Sequence, residues 1–191
     1  KTQTRRVLKP QFPDWVDSAG FTIFTPPGHI SGHGRYKDHG PAEKFVKLPI
    51  NKGDRLYVRE AWRACSQLDH IPPRKLSPFE PRIYCADMAL VEPTCAMVSA
   101  GKFRQGMHMP RWASRLTLTV TNVRVQRVQD ISEADAWAEG CKEPTTPNCF
   151  ASRDQFKDLW DSLNAKRGFG WDKNPWVVAY TFTVEKRNID Q

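Results

Sequence analysis

Leu116-Thr117-Leu118-Thr119-Val120-Thr121-Asn122-Val123-Arg124-Val125-Gln126-Arg127-Val128 alternates apolar and polar residues, the period of a half-buried β-strand. Leu116, Leu118 and Val120 fall on one face; after Asn122 the apolar set passes to Val123 and Val125, with Val128 behind them. Such a phase shift predicts a bulge or bend inside one long strand, as a barrel corner requires. The rest of the chain reads as the elements that would pack around it.

Two helices follow. Ser132 and Asp135 form a capping pair for a helix over 133–139, with Gly140 as its stop. Ser152 and Gln155 form a capping box. Phe156, Leu159, Trp160 and Leu163, at i, i+3, i+4 and i+7, predict a helix over 153–166 whose apolar stripe is core. Residues 168–174 read as loop and residues 176–184 as a long closing strand. Toward the N-terminus, Gly53-Asp54 marks a turn into a strand carrying Leu56, Tyr57 and Val58. Residues 21–25 and 82–86 are further short strand candidates, the first closed by Pro26-Pro27-Gly28. Residues 28–40 are a Gly- and His-rich loop with no hydrophobic period, 63–80 are polar and Pro-rich, and 87–107 carry no element. The expectation is one mixed, mostly β domain over 1–191, in which 63–107 is mostly insertion with one strand in it.

Composition narrows the class of function. With 39% hydrophobic and 11% aromatic residues in 191, the chain is expected to fold rather than stay disordered. The 29 Lys+Arg against 21 Asp+Glu, a formal +8, favour a polyanionic partner, since each neutralised phosphate releases counterions. No apolar run of membrane length appears, so no membrane partner is expected. The five cysteines (65, 85, 95, 141, 149) include no CxxC pair and are expected as mostly buried free thiols in a reducing cytoplasm. His29, His33 and His39 share one loop, and Cys141 and Cys149 flank another. Apart from His29-x3-His33 neither set has zinc-type spacing, so neither a metal nor another cofactor is expected. The chain starts at Lys1 rather than Met, leaving room for residues upstream, a strand among them.

Lys1-Thr2-Gln3-Thr4-Arg5-Arg6 resembles the G-x-K-x-x-T-x-R signature of the ASCH family, with Lys1, Thr4 and Arg6 on its fixed positions and the leading Gly outside the chain. Gly53-Asp54 into a strand ending Arg59-Glu60-Ala61-Trp62, the strand 116–128, the helix start Asp130-Ile131-Ser132-Glu133 and the closing strand keep the family's order. His108-Met109-Pro110-Arg111-Trp112-Ala113-Ser114-Arg115 and Asn174-Pro175-Trp176-Val177 are similar to its bacteriophage and prophage branch. The resemblance covers about 1–9, 50–62, 108–142 and 153–186. It implies a PUA-like α+β fold, a mixed β-barrel with short flanking helices in which 10–49 and 63–107 are insertions, together with the cytoplasm of a bacterial host and a nucleoside or nucleic acid (RNA or DNA) as partner. Some family members hydrolyse N4-acylated cytidines. By motif position the catalytic residues would be Lys1, Thr4 and Glu139, the last placed by counting on from Ile131-Ser132-Glu133.

The chemistry suits those residue types. A threonine hydroxyl attacks only when a neighbour takes its proton, and a desolvated lysine three residues away can do so. Glu139 stands before the helix-ending Gly140, where the helix dipole disfavours a carboxylate, and a cation such as Lys1 would rationalise it there. The plainer alternative leaves Lys1, Thr4 and Glu139 as a terminal residue, a strand residue and a solvated helix end. For binding, Arg5, Arg6, Arg55, Arg59, Arg111 and Arg115, with Trp62 and Trp112, are the types that hold phosphates and stack bases. Strand alternation puts Arg55, Tyr57 and Arg59 on one side, opposite Leu56 and Val58. A solvated basic face is the alternative. Three functions therefore stay open: a hydrolase of acylated cytidine, a non-catalytic reader of RNA or DNA, and a phage protein that blocks a host enzyme through its insertions.

Overall fold

A computed structural model describes residues 1–9, 11, 21–24, 29–36, 40–141 and 152–191, the stretches 21–24, 29–36 and 40–47 by backbone alone. The strands are β1 (Gln3–Val7), β2 (Phe21–Phe24), β3 (His29–Tyr36), β4 (Gly40–Lys47), β5 (Arg55–Tyr57), β6 (Trp62–Ala64), β7 (Arg82–Tyr84), β8 (Ala89–Val91), β9 (Thr117–Arg127) and β10 (Trp176–Glu185). The α-helices are α1 (Glu133–Ala138) and α2 (Ser152–Asn164). Three sheets result, ordered β1-β10-β9-β5, β2-β3-β4 and β6-β7-β8. Strands and helices occupy separate parts of the chain, so the class is α+β. The chain divides into two compact units, Lys1–Asp54 with Val120–Thr183 and Arg55–Thr119 with Val184–Gln191.

In the first unit β1 lies antiparallel to β10, with Arg5 opposite Ala179. The core joins Phe156 and Trp160 of α2 to Val128, Ile131, Trp171 and Val177. Phe156 meets Trp171 edge-on at 6.3 Å between centroids, and the Trp160 indole donates to the Phe169 carbonyl at 2.8 Å. The buried face of α2 is the single row Ser152, Phe156, Trp160 and Asn164, four residues apart. This corrects the expected stripe. Leu159 and Leu163, on the neighbouring row, are 46% and 63% exposed. Two large rings fill the space under the helix, and Asn164 closes the row by donating to the Trp160 carbonyl at 3.1 Å.

The expected phase shift in the long strand is present. Val120 and Val123 are buried, while Thr121 and Asn122 between them are both exposed, which alternation alone forbids. Asn122 accepts the Val123 amide on its own side chain at 2.9 Å. The loop expected over 28–40 needs a larger correction. Residues His29–Tyr36 and Gly40–Lys47 are paired antiparallel along their whole length, and β2 adds on the other side of β3. Cross-strand pairing makes strands of a segment whose glycines give it little propensity of its own. Residues 25–28, 37–39 and 142–151 lie outside the described residues, and with them Pro26-Pro27-Gly28, His39 and Cys149.

In the second unit β5 pairs with the start of β9, Leu56 opposite Leu118. Here the most buried residue of β9 is polar: Thr117 is fully buried and donates to the Arg187 carbonyl at 3.0 Å, while Leu118 is only partly covered. β6, β7 and β8 form a meander with Trp62 opposite Tyr84. The segment 87–107 thus contains a strand, and a 3-10 turn at Gly106–His108, where none was expected. Gly106 passes so close to Arg59 that a Cβ would stand 2.8 Å from its carbonyl oxygen, an approach only glycine permits. Trp62, Ala64, Leu76, Tyr84, Met109 and Ala113 make the core, and Tyr84 donates to the Ala113 carbonyl at 2.6 Å. Of the described cysteines, all free, Cys65 and Cys141 are buried, Cys85 is half-buried and Cys95 is exposed. No helix among the described residues is long and apolar enough to cross a membrane.

Candidate functional site

The first unit brings one of the expected pairs together. α1 begins at Ser132, whose hydroxyl accepts the Asp135 amide at 3.1 Å, and ends at Glu139, followed by Gly140 at φ +97°, a left-handed turn suited to glycine. The chain at Thr2 docks on that end, its amide donating to the Ala138 carbonyl at 2.9 Å. Lys1 is thereby carried past the last turn of α1. Its Nζ stands 3.3 Å from Glu139 Oε2, with Lys1 half exposed and Glu139 almost wholly buried. The carboxylate at the unfavourable end of the helix dipole therefore has a cation beside it.

It has a second one. Arg5 is fully buried, and its guanidinium reaches Glu139 Oε1 at 3.1 Å, Asp135 Oδ2 at 2.9 Å and Gln3 Oε1 at 2.8 Å. Arg124 holds the other Asp135 oxygen at 3.0 Å, and Gln3 donates on to Thr181 at 3.1 Å. The Phe156 ring lies 5.8 Å from the Arg5 guanidinium. Burial lowers the Arg5 pKa from its ordinary value, and Glu139 and Asp135 oppose that shift. Burial pushes the Asp135 carboxyl up, but the hydrogen bond from Arg124 and the charges of Arg5 and Arg124 outweigh it and hold it below the usual carboxylate range. Burial, with the charge of Glu139 added, raises the nearby Cys141 thiol.

Strand parity separates the rest of the opening run from this cluster. Gln3 and Arg5 are buried on one face of β1; Thr4 and Arg6 alternate with them on the other. Thr4 makes no side-chain hydrogen bond among the described residues, so it does not join Lys1 and Glu139. Arg6 is exposed. Arg5, expected as a surface contact, is instead the buried holder of two acids. The cluster's other members, Gln3, Asp135 and Arg124, were not singled out from sequence. Gln3 shares the parity of Arg5 and Asp135 sits one helical turn before Glu139, the signals that would have found them.

The basic candidates of the second unit are mostly occupied. Arg111 is bidentate to Asp190, at 2.7 and 3.0 Å, an exposed pair that raises the arginine and lowers the acid. Arg115 bridges Glu60 and Asp87 and lies 4.1 Å over the Tyr84 ring; hydrogen bonds to both acids raise its pKa. Arg59 binds the Tyr57 hydroxyl at 3.1 Å through Nε and stacks 5.1 Å from the ring, which confirms the shared side expected of Tyr57 and Arg59; Arg111 stands 5.7 Å from the same ring. Arg55 is exposed. Trp62 is buried, with Trp112 edge-on at 6.5 Å, so Trp62 is core and not a platform for a base. Among the described residues no three His, Cys, Asp or Glu side chains are grouped to hold a metal ion. No family model, curated protein or solved structure matches the chain.

Proposed function

We propose that the chain is a nucleoside- or nucleic-acid-binding domain of the PUA-like ASCH type, and that Lys1 with Glu139 forms its ligand-handling pair. The observation that carries this reading is the half-exposed Lys1 ammonium held 3.3 Å from a buried carboxylate that Arg5 fixes from behind. A cation anchored in that way has a set position, yet keeps donors for an acyl or base carbonyl, or for a phosphate. The formal +8 charge agrees with an anionic or nucleic-acid ligand.

The enzymatic form of the proposal is hydrolysis of N4-acylated cytidine. Water would add to the acyl carbon, the carbon–N4 bond would break, and cytidine would leave with a proton on N4. Mass-spectrometric turnover of N4-acetylcytidine tests it: cytidine and acetate should appear, and Glu139→Gln should slow their formation by at least 10²-fold, as about 10²–10⁴-fold is typical of general acid–base groups. No product from the folded protein at high concentration would sink the enzymatic form. One observation favours a non-catalytic reader of RNA or DNA in its place: Thr4 alternates with the buried Gln3 and Arg5 and so stands away from the Lys1–Glu139 pair. That reader should bind oligonucleotides with an affinity that falls as salt rises, and charge reversal at exposed Arg6 and Arg59 should flatten the salt dependence.

A further inference from the structure

The second unit contains two cavities, of about 500 and 410 Å³, that share Pro72, Pro73 and His108 in their walls. They adjoin at those residues as two parts of a groove, each in the size range of small-ligand sites. Its ionisable lining is mostly basic. His70, Lys102 and one acid, Asp69, line one half, Arg59 and Arg74 the other, and His108 lies between. Lys102, Arg74, His70 and His108 are exposed and have no side-chain hydrogen bond or carboxylate partner among the described residues. Arg111, Arg115 and Arg187 of the same unit are all paired with acids.

Beneath these side chains lies a buried cation. Arg104 lines the larger cavity with its side chain 4% exposed, and its Nε has no partner. Its Nη atoms donate to the carbonyls of Ile71 at 3.2 Å and Leu68 at 3.0 Å, and the Trp62 ring lies 5.6 Å away. Asp69 is the acid nearest to it, at 3.9 Å, and its oxygens are already occupied by the Lys102 backbone amide at 2.9 and 3.0 Å. Carbonyls satisfy hydrogens without neutralising charge, so Asp69, partly exposed at 3.9 Å, is the one acid set against Arg104. Phe103 and Met107, 55% and 66% exposed, give the groove apolar surface beside its cations.

We infer that this groove binds a phosphorylated nucleoside, with the phosphate among Arg74, Lys102 and His108 and the base against Phe103. The anion follows from Arg74 and Lys102, which have no acidic partner among the described residues, above the buried Arg104, with Asp69 as the one acid in the lining. The ring follows from exposed aromatic surface adjoining them. The base as ligand class rests on the nucleoside reading above; the anion site does not. A free nucleotide and a nucleotide within a strand present the same chemistry here.

Titration calorimetry with cytidine 5′-monophosphate, cytidine, inorganic phosphate and a cytidine decanucleotide tests the inference. Saturable binding of the monophosphate is expected, at least 10-fold tighter than cytidine or phosphate alone. Arg74→Glu with Lys102→Glu, both exposed positions, should weaken it at least 10-fold with an unchanged melting temperature, whereas Lys166→Glu, exposed and outside both proposed sites, should leave it as it was. Tighter binding of the decanucleotide assigns the groove to a strand, equal or weaker binding to a free nucleotide. Binding that survives the double charge reversal and disappears with Lys1→Ala overturns the groove while leaving the proposed function standing. Phosphate bound as tightly as the monophosphate, and lost in the double variant, overturns the nucleoside as ligand and with it the base-recognition half of the inference. No binding of any probe overturns the site.

Discussion

Each unit of this protein contains a buried arginine beside its apolar core, and the two have different partners. Arg5 meets two carboxylates, Glu139 at 3.1 Å and Asp135 at 2.9 Å, with Lys1 and Arg124 pairing the outer oxygens. Arg104 meets two backbone carbonyls and, at 3.9 Å, one acid. The first buried guanidinium is bonded directly to two carboxylates, which Lys1 and Arg124 pair from outside. The second has one partly exposed acid at 3.9 Å and lies under a groove also lined by Lys102, Arg74 and Arg59. Burial of an arginine therefore marks structure in one unit and an anion site in the other, and the acids around it decide which.

The largest effect expected from this contrast is at Arg5. Arg5→Met leaves Glu139 and Asp135 each with a single outer cation and strands buried carboxylate, which should cost about 3–5 kcal/mol in urea unfolding. Arg5→Met combined with Glu139→Gln should recover part of that loss, because one stranded charge is removed. A loss below about 1 kcal/mol, as for solvent-exposed pairs, would mean that the cluster does not hold the first unit. Arg104→Met should cost less, about 1–3 kcal/mol, since it strands two carbonyls and no fully buried acid. Equal losses at the two sites would break the comparison.

Acid sensitivity sharpens it further. The Asp135 carboxyl is lowered in the folded state, so its contribution is fully present above the unfolded value of about 3.9 and is lost as pH falls through the lower folded value. Urea midpoints measured from pH 6 to pH 2 should therefore fall less steeply for Asp135→Asn than for the parent chain. Asp190 is also lowered, by Arg111, but both partners are more than half exposed. Adding 0.5 M salt should erase the acid effect of Asp190→Asn and keep that of Asp135→Asn, because screening acts on exposed pairs far more than on covered ones.

These two arginines also mark what could be read from the chain. Periodic segments were legible. The strand around Val120 and Val123, the break at Thr121-Asn122, and both α-helices stand where the pattern puts them. The opening run was legible in part: alternation separates Arg5 from Arg6 but does not say which goes inside, since that depends on acids 130 residues and more away. The meeting of Lys1 with Glu139 follows from an order of landmarks, whereas the roles of Asp135 and Arg124 depend on packing. Arg104 carries no sequence signal, because it lies in a stretch without hydrophobic period. β3 and β4 were illegible for a related reason, their strand state coming from each other's backbones.

The smallest expected effect tests the face of α2 turned away from Arg5. Phe156 sits under the Arg5 guanidinium, and the row through Trp160 to Asn164 carries the packing, so the adjacent row of Leu159 and Leu163 is left to water. Heptad-like spacing assigns all four apolar residues to the core with equal weight. Exposure breaks that equivalence. Leu163→Gln removes little buried surface and keeps a good helix former, so unfolding free energy should move by no more than about 0.5 kcal/mol. A loss of about 2–5 kcal/mol, the range for truncating a buried leucine, would instead show that this row is covered. The size of that loss decides whether Arg5 is supported by one row of α2 or by two.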